Sequence, residues 1–171
     1  MVEIRPLQHN DIEPITKAFA EIGWPKPASQ YERYLSEQES DQRLVLVATI
    51  HGDFAGYLTI VWESSYPPFR EAGIPEIVDF NVLPKFQRQG IGTQLMDAAE
   101  EKIALQSSIA GIGVGLTRDY GAAHMLYIKR GYLPDGQGII SNENFCQYGD
   151  KVIIDDALKI CFTKQLPKHE K

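Results

Sequence analysis

The run Gln87-Arg88-Gln89-Gly90-Ile91-Gly92 lies between an apolar, strand-like stretch and a segment with helical periodicity. Where such a turn opens a helix, the first amides lack intrahelical partners and the helix dipole adds partial positive charge. Glycine there lets the main chain approach a ligand without a Cβ in the way. The natural occupant is an anion. Arg88 and Lys85 bring formal positive charge to the same turn. A Gly-x-Gly taken alone is also what a plain turn contains. The run lacks the Lys-Ser/Thr ending of a nucleoside-triphosphate loop and the third glycine of a dinucleotide fingerprint, so neither ligand is favoured. Other chemistry is poorly represented. His9, His51, His124 and His169 form no local metal motif, and Cys146 and Cys161 follow no metal-ligand spacing. Cys161, in an apolar run, reads as a buried thiol. No metal and no disulfide are expected.

The elements around the turn follow from periodicity and punctuation. Alternation at Val2 and Ile4 opens the chain as a short strand. Asn10 and Asp11 offer caps to a helix near 11–21 that carries Ile12, Ile15 and Phe19, with Pro14 tolerable in its first turn. Ser29 can cap a second helix to about 39. The β-rich runs 44–50 and 54–62 flank His51-Gly52-Asp53 and read as a hairpin. Residues 63–73, with Pro67-Pro68 and no regular period, read as a loop before a strand near 75–83. From Gly90, the positions Ile91, Leu95, Ala98, Ala99 and Ile103 line one face of a helix of about four turns. A strand near 112–116 follows, then a helix over 119–129 closed by Gly131, then strands at 151–154 and 158–166. The order β-α-α-β-β-β-α-β-α-β-β describes a mixed α/β domain.

The 171 residues, 43% hydrophobic and 23% charged, suit a single domain over 1–171 with a sizeable core. A formal net charge of −6 disfavours a nucleic-acid partner and is compatible with a cationic substrate. The N-terminal residues lack the apolar core of a signal peptide, and no stretch reaches the length of a membrane span, so a cytoplasmic protein without a membrane partner is expected.

The segment from Ile77 to Met96 resembles the core motif of the GNAT superfamily of acetyl-CoA-dependent N-acetyltransferases. The family hallmark, Gln/Arg-x-x-Gly-x-Gly/Ala, is matched by Gln87, Gly90 and Gly92. A second family block is matched by Ala123, Tyr127, Gly131 and Tyr132, so the resemblance spans about residues 76–133. It implies an α/β (α+β) fold with a mixed, mostly antiparallel central sheet flanked by helices. It also implies acetyl-CoA as cosubstrate, a small-molecule or protein amine as acceptor, and homodimers as a common assembly. By the same resemblance the strand groups of Phe80, Asn81 and Val82 would bond the pantetheine arm. The amides of Arg88, Gln89, Gly90, Ile91, Gly92 and Thr93 would hold the pyrophosphate. One position departs from the pattern: Tyr120 stands where many relatives carry Asn, so the cofactor contact made by that Asn does not transfer.

Acyl transfer to nitrogen requires a free amine, and deprotonating an alkylammonium of pKa ~10.4 at pH 7 costs about 4.6 kcal/mol. A general base is therefore useful. The resemblance to histone-acetylating relatives makes Glu76 the candidate, with solvent the alternative. A two-residue period would place it on one face with Val78, Phe80 and Val82 and place Asp79 on the other. The departing thiolate needs a proton. Family resemblance gives that role to Tyr127, whose phenol is protonated at pH 7. The backbone amide of Phe80 is a candidate oxyanion donor. Trp24, Tyr31, Tyr34, Trp62, Tyr66 and Phe69 lie in segments that wall the acceptor pocket in relatives. With Glu32, Glu37 or Glu63 nearby, they would suit a cation. A non-catalytic acyl-CoA-binding or sensor module would keep the loop and dispense with acid and base.

Overall fold

The computed structural model describes residues 1–167, so His169 lies outside the described residues. The chain forms two compact units, the first from Met1–Trp62 with Ile77–Lys102, the second from Glu63–Glu76 with the residues from Ile103 onward.

The first unit begins with β1 (Val2–Pro6), followed by α1 (Ile12–Glu21) and α2 (Ala28–Glu39). The hairpin β2 (Arg43–Ile50) and β3 (Asp53–Val61) comes next. Its last elements are β4 (Glu76–Val82), apart from Glu76 itself, and most of α4 (Ile91–Ala104). The strands are ordered β1-β2-β3-β4, and the β1–β2 and β2–β3 pairs are antiparallel. β4 also runs against β3, since the Thr59 hydroxyl donates to Val78 O (2.9 Å) while Leu83 N–H donates to Ala55 O (2.9 Å). The helical spacing of Ile12, Ile15 and Phe19 carries all three into a core with Tyr31 and Tyr34 of α2, Val45 and Val47 of β2, and Tyr57 of β3. Rings meet edge to face in that core, Phe19 to Tyr57 at 6.0 Å and Tyr31 to Tyr57 at 5.6 Å. At the start of α1, Asp11 accepts the Gln8 amide (2.8 Å) and takes both Arg5 guanidinium nitrogens at 2.7 and 2.8 Å. α2 starts after Pro27, and Ser29, expected as its cap, lies inside the helix.

The second unit contains α3 (Pro67–Ala72), β5 (Ile109–Gly115), α5 (Gly121–Lys129), β6 (Leu133–Ser141), β7 (Asn144–Phe145) and β8 (Leu158–Gln165). Its strands are ordered β5-β8-β6-β7, with antiparallel pairs throughout. α3 corrects the expected loop at 63–73. The Pro-Pro pair that resembles loop chemistry sits at the helix start, where a missing N–H costs nothing, and Gly73 closes the helix at φ +65°. Residues 151–154 are not a strand, and Val152, Ile153 and Ile154 stand exposed. Two other strands stand before β8 instead, the short β7 and the longer β6, which Pro134, Gly136 and Gly138 disguise. Its register against β8 shifts between Pro134 and Ile139, and that irregularity absorbs the glycines.

The unit's core joins Tyr66, Phe69, Ile74, Ile140 and Cys161. Phe69 packs closely against β5 at Gly111, where an added Cβ would come within 2.5 Å of its ring. Gly111→Ala is therefore expected to lower stability by about 2 kcal/mol, seen as a fall in melting temperature of about 4–8 °C. A melting curve unchanged from wild type would show that Phe69 moves aside freely.

Candidate functional site

In the first unit the glycine turn leads from β4 into α4. Arg88 and Gly90 adopt left-handed backbone (φ +60° and +78°), and Gln94 N–H donates to Gly90 O at 3.0 Å, so regular helix bonding begins only there. The preceding amides of Ile91, Gly92 and Thr93 belong to the first turn, where no intrahelical acceptor exists. Two side chains brace the turn: Gln87 Nε2 donates to Val82 O (3.1 Å) and Gln89 Nε2 to Lys85 O (3.1 Å). Ile91 is buried and Leu95, Met96 and Ala99 continue its face, which anchors the helix while Arg88, Gln89, Gly90 and Thr93 stay exposed. The two glycines serve different ends. Gly90 permits the left-handed turn, whereas a Cβ at Gly92 would sit 3.2 Å from Phe80 Cζ and 3.8 Å from Val82 Cγ2. Phe80 and Val82 of the expected pantetheine strand and Gly92 of the expected phosphate turn are thus packed together.

β4 is not regular. Asp79 has φ +52°, a left-handed residue inside a strand, which for a non-glycine costs about 1–2 kcal/mol. The alternation that would carry Glu76 onto the face of Phe80 and Val82 therefore does not run through the strand. The Asp79 side chain points into a polar cluster. Oδ1 accepts from Lys26 Nζ (3.1 Å) and Asn81 Nδ2 (2.8 Å). Oδ2 accepts from Gln30 Nε2 (3.0 Å), Tyr34 OH (2.9 Å) and Tyr57 OH (2.5 Å). The Lys26 ammonium also donates to Tyr57 OH at 3.1 Å and lies over the Phe19 ring at 5.2 Å. Burial, with the Asp79 charge, pushes the Tyr34 phenol up to about 12 and the Tyr57 phenol well above its usual range. Asp79 and Asn81, two polar residues at strand spacing within an apolar run, are the sequence signal that could have revealed this cluster.

In the second unit, Glu76 is 3% exposed. Its Oε2 accepts the Ser64 hydroxyl at 2.5 Å, and Ser64 Oγ in turn accepts the Tyr66 amide at 3.0 Å. On the other side Lys159 Nζ lies 3.9 Å from Glu76 Oε1 and 3.4 Å from Glu143 Oε1. Burial raises the Glu76 carboxyl above the ordinary glutamate range, against the opposing Lys159 charge and the Ser64 bond, with Glu143 adding to the rise. Neither Ser64 nor Lys159 was marked by the sequence: a lone serine in an irregular segment and a lysine on an alternating strand carry no signature.

Tyr127 is the buried residue of α5, 5% exposed, with its ring 6.0 Å from that of Tyr132. Gly131 ends the helix at φ +92° and lets Tyr132 N–H donate back to Tyr127 O (3.0 Å). Burial pushes the Tyr127 phenol well above its usual range, so it stays protonated across the pH range of proteins. Tyr120 lays its ring over Gly115, where an added Cβ would come within 2.5 Å, and donates its hydroxyl to Asp156 Oδ1 at 2.9 Å. His124 bonds Gly115 O at 2.9 Å.

The expected aromatic wall is mostly core. Tyr31 and Tyr34 belong to the first unit's core, Tyr66 and Phe69 to the second's, while Trp24 is half exposed. Glu37 is engaged by Arg43 at 2.5 Å and by Arg33 at 3.6 Å. No helix among the described residues is long and apolar enough to cross a membrane.

Comparison with known proteins accords with these features. Among solved structures, the chain is similar to an N-acetyltransferase from Staphylococcus aureus, with TM-score 0.71, 15% identity, and coverage of 98% of this chain and 99% of that one. The PaiA N-acetyltransferase from Thermoplasma acidophilum, solved in complex with coenzyme A, gives 0.66 and 15%, covering 96% and 99%. The ribosomal-protein-S18-alanine N-acetyltransferase from Escherichia coli gives 0.64 and 17%, covering 100% and 96%. At such identities the likeness shows the fold, a mixed α/β arrangement with mostly antiparallel strands. No curated protein matches the sequence. The model of the acetyltransferase (GNAT) family, however, matches residues 9–132, which take in the glycine turn, Glu76 and Tyr127. The chain belongs to the GNAT family of acetyltransferases.

Proposed function

We propose that the chain, as one catalytic domain over 1–171, transfers the acetyl group of acetyl-CoA to a primary amine by direct attack in a ternary complex. Family membership supports the acetyl donor, and the bracing of the Gly90 turn suits a pyrophosphate at the first turn of α4. The amides of residues 88–93 would hold that group, and the main chain of Phe80, Asn81 and Val82 the pantetheine arm.

The observation that carries the enzymatic reading is Glu76, a buried carboxylate oriented by Ser64 and faced by Lys159. A carboxylate whose pKa is raised by burial is a stronger proton acceptor than a solvated one. Glu76 takes a proton from the attacking ammonium, the nitrogen lone pair adds to the thioester carbonyl, and the Phe80 amide receives the developing oxyanion. Tyr127 would then donate its hydroxyl proton to the sulfur as the C–S bond breaks, and the second proton shed by the nitrogen of the new amide would return to Tyr127.

The test is release of free thiol when acetyl-CoA meets a panel of amino acids, polyamines, aminoglycosides and peptides. Turnover with at least one amine is expected. Tight coenzyme A binding with no thiol release across the panel would favour a non-catalytic acyl-CoA-binding module.

A further inference from the structure

We infer that Asp79 is a positioning residue for acetyl transfer: its carboxylate locks the bend in β4 that aims the main chain of Phe80–Val82, and ties that bend to the segment preceding and opening α2. The inference rests on the acetyl-transfer reading of this site.

Two independent observations converge on Asp79. The first is conformational. Its backbone is left-handed, at φ +52°, where a β-strand interior calls for extended geometry and where glycine would be the unstrained choice. The second is the density of its bonding. Five side chains donate to the one carboxylate, and each of its oxygens is used at least twice. They come from Lys26 before α2, from Gln30 and Tyr34 on α2, from Tyr57 on β3, and from Asn81 two residues along β4. An aspartate held by so many donors resists the rotation that would let the strand straighten. A simple solvated aspartate would need none of them, and a bend required only for packing would be made more cheaply by glycine.

The bend also lies immediately before the working residues. Phe80 and Val82 rest against Gly92 at the start of α4, so the strand is held from the helix side by packing and from the α2 side by Asp79. Releasing one side leaves the phosphate turn intact while the Phe80 amide loses its aim. A displacement on the order of 1 Å can lower the rate about 100-fold. The defect should therefore fall on kcat rather than on cofactor binding.

The experiment compares Asp79→Gly, Asp79→Asn and Lys26→Met with wild type. Glycine keeps access to the left-handed backbone and removes the bonds. Asparagine keeps an acceptor oxygen and local tolerance of that backbone. Lys26→Met deletes one donor and leaves β4 untouched. For Asp79→Gly we expect kcat lower by about 100-fold with the coenzyme A dissociation constant within about twofold of wild type. Amide hydrogen exchange at Phe80, Asn81 and Val82 should be faster by about tenfold, with protection kept in α4. Asp79→Asn, which can accept on one side of the cluster only, should recover part of kcat, and Lys26→Met, which deletes a single donor, should lie closer to wild type. Wild-type exchange at 80–82 in Asp79→Gly would overturn the inference whether or not the chain turns over, as would faster exchange with unchanged kcat. If Asp79→Gly fails to fold, Lys26→Met decides: wild-type exchange and kcat in that variant would overturn it. Absence of thiol release from the wild-type protein would instead sink the acetyl-transfer reading, and exchange would still report whether Asp79 holds the bend.

Discussion

Glu76→Gln is expected to lower turnover by about 100- to 10,000-fold with little change in coenzyme A affinity, because it removes the proposed proton acceptor and keeps the shape and the Ser64 contact. Its pH dependence identifies the group further. Because burial raises the Glu76 pKa, kcat/KM of the wild type should fall on the acid side at a pH above that of an ordinary glutamate. Lys159→Met removes the opposing positive charge and should move that limb higher still, whereas Lys159→Arg should hold it. Stability runs the other way. A folded-state pKa raised above the unfolded value means that stability is fully present below the unfolded pKa and is lost as pH rises through the folded one. Glu76→Gln avoids that loss, so at pH 8 it should melt no lower than wild type while being nearly inactive. Near-normal turnover in Glu76→Gln would assign the base to solvent, and a collapse in melting temperature would make Glu76 a structural residue.

Tyr127→Phe is the second large effect. Its hydroxyl is buried on α5 and protonated throughout the working pH range, so it can donate and has no means of acting as a base near neutrality. Turnover should fall by about 100-fold or more, with coenzyme A affinity retained. Thioesters that differ in leaving-group basicity separate the roles. A proton donor matters most for the most basic leaving group, so an activated thioester should recover much of the lost rate in Tyr127→Phe and little of it in Glu76→Gln. Equal rates for Tyr127→Phe and wild type would leave Tyr127 as a packing residue beside Tyr132.

The parts of the fold legible in the sequence are those with long, uninterrupted periodicity. α1, α4 and the β2–β3 hairpin declare themselves because Ile12, Ile15 and Phe19, or Ile91, Leu95 and Ala99, recur at the spacing of one buried helical face. β6 and α3 were hidden because proline and glycine carry two meanings. Pro67 starts a helix, and Gly136 and Gly138 sit in a register shift, yet the same residues punctuate loops. Conversely Val152-Ile153-Ile154 has the composition of a strand and forms none, since β propensity describes a fit to neighbours that this segment lacks. At the candidate site, the glycine turn was visible because backbone requirements restrict residue type. The companions of Glu76 were not, because Ser64 and Lys159 reach it by tertiary placement from distant positions. Asp79 is hidden because strict alternation does not hold through a strand that contains a left-handed residue.

Lys159 stands between two carboxylates, those of Glu76 and Glu143. With both ionised, the trio is one positive charge short of neutrality. On the proposed reaction an alkylammonium supplies that charge on arrival. Proton transfer to Glu76 keeps the balance, and the amide product leaves carrying none. The same arithmetic would select a protonated amine on entry and give the acetylated product no electrostatic reason to stay.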